Sequence, residues 1–195
     1  MQKLELSDVK NLQEYELIRD DFRRHVIEEK AKRRVLLGPK ISLVFENRLT
    51  VLAQVQEMCR IERIARPEKV QEELDVYNTL LPGAGELAAT LFIEIADPAA
   101  IQRELDALIG LADGRALFLE LNGRRVAARF SEGESRPDRI AAVQYVKFPV
   151  GEAPTDREAL AAGEAPVLLR AEHPRYRAVA ELSEETRREL ARDLA

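Results

Sequence analysis

The stretch ALFLELNGRRVAARF, residues 116–130, decides the class of fold. Ala116–Leu121 and Arg125–Phe130 are short β-prone runs flanking Asn122-Gly123. Asn-Gly suits a type I′ hairpin turn, because both central residues need positive φ. An antiparallel hairpin is therefore predicted, and the chain continues in the same manner downstream. Ile140–Phe148 reads as another strand, and Val167–Arg170 and Arg177–Leu182 as two more around a turn at His173-Pro174. Residues 131–139 form a polar loop, and Thr155 with Glu158 makes a capping box for a short helix. Ser183-Glu184-Glu185 starts a C-terminal helix.

Upstream the period changes. Residues 13–33 carry an apolar stripe at Tyr15, Ile18, Phe22 and Val26, the spacing of a helix. Gly38-Pro39 ends that segment, with Val35–Leu37 and Ile41–Phe45 as a hairpin around it. Arg48–Ile64 is helical in pattern, and Pro67 opens a helix through Tyr77. Leu87–Ile95 reads as a strand, and Asp97-Pro98 as the cap and first turn of a helix reaching Ile109. Helices lead over 1–82 and strands follow over 83–195. The expectation is one α+β domain spanning 1–195, N-terminal helices packed with a mostly antiparallel mixed sheet.

Composition narrows the function. A net charge of −5, with +3 over residues 1–70 and −8 beyond, argues against non-specific nucleic-acid binding, which depends on neutralising phosphates. The run Lys30-Ala31-Lys32-Arg33-Arg34 follows Glu28-Glu29 and reads as the solvated end of a helix, where cations suit the macrodipole. Nucleic-acid binding through that run is the weakest functional reading. One cysteine, Cys59, allows no intrachain disulfide and fits a reducing compartment. MQKLELSDVK lacks the apolar core of a signal peptide, and no window approaches the ~20 apolar residues of a membrane span. The expected location is cytoplasmic.

Complete catalytic motifs are missing. Gly83-Ala84-Gly85-Glu86-Leu87-Ala88 has the letters of a dinucleotide fingerprint but the order helix, loop, strand, whereas phosphate must meet a helix N-terminus. Neither a phosphate loop nor a serine-hydrolase elbow is present. Cys59 falls in the apolar stripe of its helix, which favours an inert buried thiol over a Cys–His pair with His25 or His173. Two histidines and one cysteine do not make a structural zinc site without carboxylates, and neither histidine follows a Glu-x-x pattern for a di-iron bundle.

The segment that stands out is 48–66. Val51, Leu52, Val55, Met58 and Cys59 form one stripe, and Arg48 and Glu62 project onto its two ends. They lie too far apart to pair within the helix, so each needs another partner or solvent. Gln56, Arg60 and Arg63 line one flank. If a site exists, Arg48, Gln56, Glu57, Arg60 and Glu62 would form it, with Asn78 and His173 as neighbours. Arg and Gln donors beside a carboxylate would suit a small anionic or amide-bearing ligand. The alternatives are that Arg48 and Glu62 reach out to solvent, that Asn78 caps its helix locally, and that His173 is structural.

Arg33-Arg34-Val35 through Gly38-Pro39, Phe45-Glu46-Asn47-Arg48, Gln54-Val55-Gln56-Glu57-Met58, Arg60-Ile61-Glu62-Arg63-Ile64, Glu73-Leu74-Asp75-x-Tyr77-Asn78, Leu81-Pro82 and His173-Pro174-x-Tyr176 occur together here, with Tyr15 and Arg19 upstream. In that combination the chain resembles a bacterial family of unknown function, domain of unknown function 3501. The family has no assigned activity, and the resemblance leaves any cofactor open. It implies an accessory or interaction protein in a redox or peroxide-stress system, with a rubrerythrin-like or iron–sulfur oxidoreductase partner. The chain itself is also expected to form a homodimer. The reading from a different class is a small-molecule-binding domain or unrecognised enzyme with its site on the 48–63 helix.

Overall fold

Asn122 and Gly123 take φ of 48° and 79°, as the predicted turn requires. The turn closes β4 (Leu117–Leu121) onto β5 (Arg124–Ala127), with Leu121 opposite Arg124. These elements belong to a computed structural model that describes residues 1–131, 135–136, 138–152, 155–162 and 165–194. The predicted strand Arg125–Phe130 is divided: β5 pairs with β4, whereas β6 (Arg129–Phe130) pairs with β9 (Val143–Phe148). The chain thus changes sheets at Ala128, which is buried and donates its N–H to Leu117 O. Period-two burial of Val126 and Ala128 continues through the change, so alternation alone gives no sign of it.

β1 (Arg34–Leu37), β2 (Ile41–Phe45), β3 (Leu87–Ile93), β9 and β6 form a five-stranded sheet in the order β1-β2-β3-β9-β6. A second sheet runs β11-β10-β4-β5, with β10 at Leu168–His173 and β11 at Tyr176–Glu181. β7 (Ser135–Arg136) and β8 (Arg139–Ile140) make a small hairpin. Each pairing among the described residues is antiparallel, so the α+β class holds with two antiparallel sheets in place of one mixed sheet. Leu43, Phe45 and Leu91 of the first sheet and Leu117, Leu119 and Leu169 of the second share one fully buried core. Each such side chain contributes roughly 1.5–3 kcal/mol by leaving water. Tyr176 ties the sheets at one corner. Its hydroxyl donates to Leu37 O and accepts from Lys40 N, across a turn where Gly38 has φ +72°.

The helices are set by their caps. α1 (Leu12–Arg33) starts at Asn11, whose side chain accepts from Glu14 N, and α2 (Arg48–Ile61) at Asn47, whose side chain accepts from Thr50 N. α3 (Pro67–Tyr77) has proline at its first position. Asp97 caps a single 3-10 turn, Pro98–Ala100, before the short α4 (Ile101–Asp106). α5 (Thr155–Ala162) begins at Thr155 itself, and the position that would cap it lies outside the described residues, as does part of the 131–139 loop. α6 (Glu184–Asp193) is capped by Ser183 as read from the sequence. Among the described residues no helix is long and apolar enough to cross a membrane.

Two details of α1 depart from expectation. Tyr15 and Val26 of its stripe are buried, but Ile18 is exposed and Phe22 only half-buried, edge-on to Tyr15. At its end Arg33 is not solvated at all. It is 2% exposed and bridges Glu29, Glu189 and Asp193, so the basic run clamps α6 onto α1. A guanidinium fork can satisfy several carboxylates at once, which a lysine there could not.

Candidate functional site

The residues singled out on α2 spend their polar atoms on two different tasks. The first is to hold down residues 4–11, an N-terminal strap with one 3-10 turn at Leu6–Asp8. Gln56 is 2% exposed, and its amide closes a two-way bond with the Lys10 backbone: Oε1 accepts from Lys10 N at 2.9 Å and Nε2 donates to Lys10 O at 2.8 Å. Asn78 does the same for Leu4, accepting from its N–H at 2.8 Å and donating to its carbonyl at 3.0 Å. Asn78 is the C-cap of α3, as its position suggested, and its side chain adds a long-range clamp. Arg48, half-buried at the start of α2, pairs with Asp8 of the strap, and its Nε is buried without a partner among the described residues. The hydrogen bond from Arg48, helped by the Glu5 N–H, holds the Asp8 carboxyl below the usual range.

The second task is to join α2 to α1. Glu57 accepts from Tyr15 Oη at 2.7 Å, from Arg19 Nε at 2.8 Å and Nη2 at 3.1 Å, and from Arg60 Nε at 3.2 Å. The Arg19 fork is the main reason its carboxyl is lowered to about 2, with Tyr15 and Arg60 adding to it against the cost of burial. Burial and the Glu57 bond push the Tyr15 phenol upward in turn. Arg60 also reaches Glu16, 3.7 Å away.

Glu62 and His173 stand apart. Glu62 is the exposed C-cap of α2. His173 lies at the end of β10, where Nδ1 accepts from Arg175 N at 3.3 Å and the opposite nitrogen therefore donates to Ile109 O at 3.0 Å. Its contacts are with the second sheet's surroundings and not with α2. Among the described residues no group of three His, Cys, Asp or Glu side chains could hold a metal ion.

Beneath the strap lies a cleft of about 720 Å3. Leu6, Val9 and Leu12 line it from the strap side, and Cys59, Ile64 and Val70 from α2 and α3. The elbow between these helices shapes that wall. Arg63 takes φ 55°, Arg63 N bonds Arg60 O and Ile64 N bonds Cys59 O, which is the Schellman arrangement that ends a helix. It brings Ile64 back over Cys59. Cys59 itself is 1% exposed, and burial pushes its thiol up. The first residues of α1 and α3 also border the cleft, through Leu12 and Pro67. A second cleft, about 500 Å3, runs past Arg124, Arg125 and Arg129, with Arg124 held by Asp156 and Arg125 by Glu120 and Glu172.

A family model described as "Protein of unknown function (DUF3501)" matches residues 3–194. The chain belongs to the DUF3501 family. The strap, the clamps and the cleft all lie within the matched region. A similar solved structure is that of a novel protein of unknown function from Burkholderia pseudomallei K96243. It is 30% identical, covers 100% of both chains and superposes with a TM-score of 0.90. No curated protein matches the chain.

Arg48, Gln56 and Asn78, candidate ligand contacts in the sequence, bond Asp8, Lys10 and Leu4 of the strap. Sequence reasoning missed the strap-side wall of the cleft altogether. The available signal was the three-residue spacing of Leu6, Val9 and Leu12 just before and after the Asn11 cap. That apolar run is too short to register as a helix and has no strand alternation.

Proposed function

We propose that this DUF3501 protein is a binding domain for a small apolar molecule, held in the cleft between the strap and the α2–α3 elbow. The observation that carries the reading is the cleft itself. Its volume of about 720 Å3 falls within the roughly 300–1,000 Å3 of small-molecule pockets, which are apolar with few polar groups. Leu6, Val9, Leu12, Ile64 and Val70 supply aliphatic walls from two chain segments, 6–12 and 64–70. The strap is held at its ends by amide clamps and by Leu4, which is buried in the smaller core cluster, while the cleft opens between these anchor points.

An accessory role beside a rubrerythrin-like or iron–sulfur protein rests on the family resemblance alone. Cys59 is buried and its thiol pushed up, so it gives that role no redox handle. The test of the binding reading is saturation-transfer NMR with small aliphatic and aromatic probes on the protein and on Ala65→Trp. Ala65 is an exposed residue of the cleft wall, so the indole would fill the mouth without entering the core. Probes should bind the parent and not the variant. Binding to neither, or to both alike, would count against the reading.

A further inference from the structure

Resting on that reading, we infer that the ligand of the cleft is an anionic amphiphile, an aliphatic body carrying one carboxylate-type head that sits at the Lys10 edge of the mouth. The cavity is apolar through most of its wall, but its charged lining is a single residue, Lys10. The Lys10 backbone is fixed by Gln56 through both its N–H and its carbonyl, so the point from which the side chain leaves is set. Among the described residues no acid pairs with the ammonium group, although the chain as a whole is acidic and Arg48 and Arg60 of α2 are both engaged. An unengaged cation on the rim of an apolar cavity matches an apolar body with an anionic end, by the same complementarity that makes a neutral or cationic head less suited to it.

The surroundings of Lys10 agree in sign. Asn11, Leu12 and Gln13, all on the cleft wall, are the cap and first two residues of the 22-residue α1. Of the first backbone donors of α1, the Asn11 cap takes only that of Glu14, and the positive end of the helix faces the same edge. α3 likewise begins at the cleft with Pro67, after a cap residue, Arg66, whose side chain makes no capping bond. Glu14 and Glu68, in the first turns of these helices, offset part of that field but do not line the cleft.

Calorimetric titration of the full chain at low salt with dodecanoate, below its micellar concentration, and with dodecan-1-ol, below its solubility limit, tests the assignment. Dodecanoate should bind about fivefold more tightly than the alcohol, the scale of one exposed cation plus a helix terminus. Lys10→Gln keeps both backbone bonds to Gln56 and should shrink the ratio to under about twofold, chiefly by weakening dodecanoate. Both probes should fail on Ala65→Trp. Equal affinity for the two probes in the parent protein overturns the head-group assignment and leaves the cleft reading standing. A preference that survives Lys10→Gln unchanged overturns the role of Lys10. No binding of either probe, or binding indifferent to Ala65→Trp, overturns the cleft reading and the assignment with it.

Discussion

Gln56→Ala isolates the strap. The side chain is 2% exposed and makes two bonds, both to the backbone of Lys10. A typical intramolecular hydrogen bond nets about 0.5–1.5 kcal/mol. Lys10 is itself exposed, so its freed N–H and carbonyl can be taken up by water and add little to that penalty. The expected loss is therefore about 2 kcal/mol. If the strap unfolds with the rest of the molecule, the loss appears in the urea midpoint with an unchanged m value. If it lets go locally, the Leu4 and Lys10 amides exchange about 30-fold faster while the global midpoint moves less. Gln54→Ala is the control, because Gln54 bonds Thr50 O within its own helix and should cost under about 0.5 kcal/mol. A Gln56→Ala protein that matches this control in both midpoint and Lys10 exchange would refute the clamp.

Other perturbations follow from the same contacts. The Glu57 carboxyl is lowered to about 2 from an ordinary 4.5, so its stabilisation is present in full above pH 4.5 and is lost as pH falls through about 2. With its side chain 27% exposed, screening reduces that contribution to about 1–2 kcal/mol. Glu57→Gln should cost this amount at pH 7 and almost nothing near pH 2, as read by thermal unfolding across pH. Arg33→Met leaves Glu29, Glu189 and Asp193 around an apolar side chain and should cost about 3–5 kcal/mol in urea unfolding. The gap should narrow as pH falls through the carboxylate range, because the uncompensated acids then become neutral. Arg63→Gly removes a side chain from a left-handed position and should raise stability by about 0.5–1 kcal/mol in the same assay. A loss there would mean that the Arg63 side chain does more than end α2.

The sequence was most legible where one local rule acts alone. Asn122-Gly123, Ser183 and Pro67 each fix a turn or helix end through their own stereochemistry, and each is found where it was read. Long-range pairing left no such mark. Ala128 transfers the chain between sheets without breaking the alternation of buried residues. Arg33 looked like the rest of a solvated basic run, because its partners Glu189 and Asp193 lie on a helix some 160 residues away. The motif pieces that carried the family resemblance acquire a physical sense only in three dimensions. Tyr176 covers the Gly38-Pro39 turn, Asn47 caps α2 while donating to Glu29, and Gln56 and Asn78 hold two points of the strap. Arg48 needs a partner on sequence grounds and finds it in Asp8, while Gln56 and Asn78 bond the backbone of the same segment, whose sequence has no recognisable period.

The central claim, a ligand cleft beneath the strap, is tested most directly by a titration with decan-1-ol followed in 15N–1H correlation spectra. The account predicts saturable shifts confined to residues 6–13, Cys59 and 64–70, with the amides of β4 and β10 unmoved. Shifts that gather instead along the Arg124–Phe130 cleft, or an absence of saturable shifts anywhere, would contradict it.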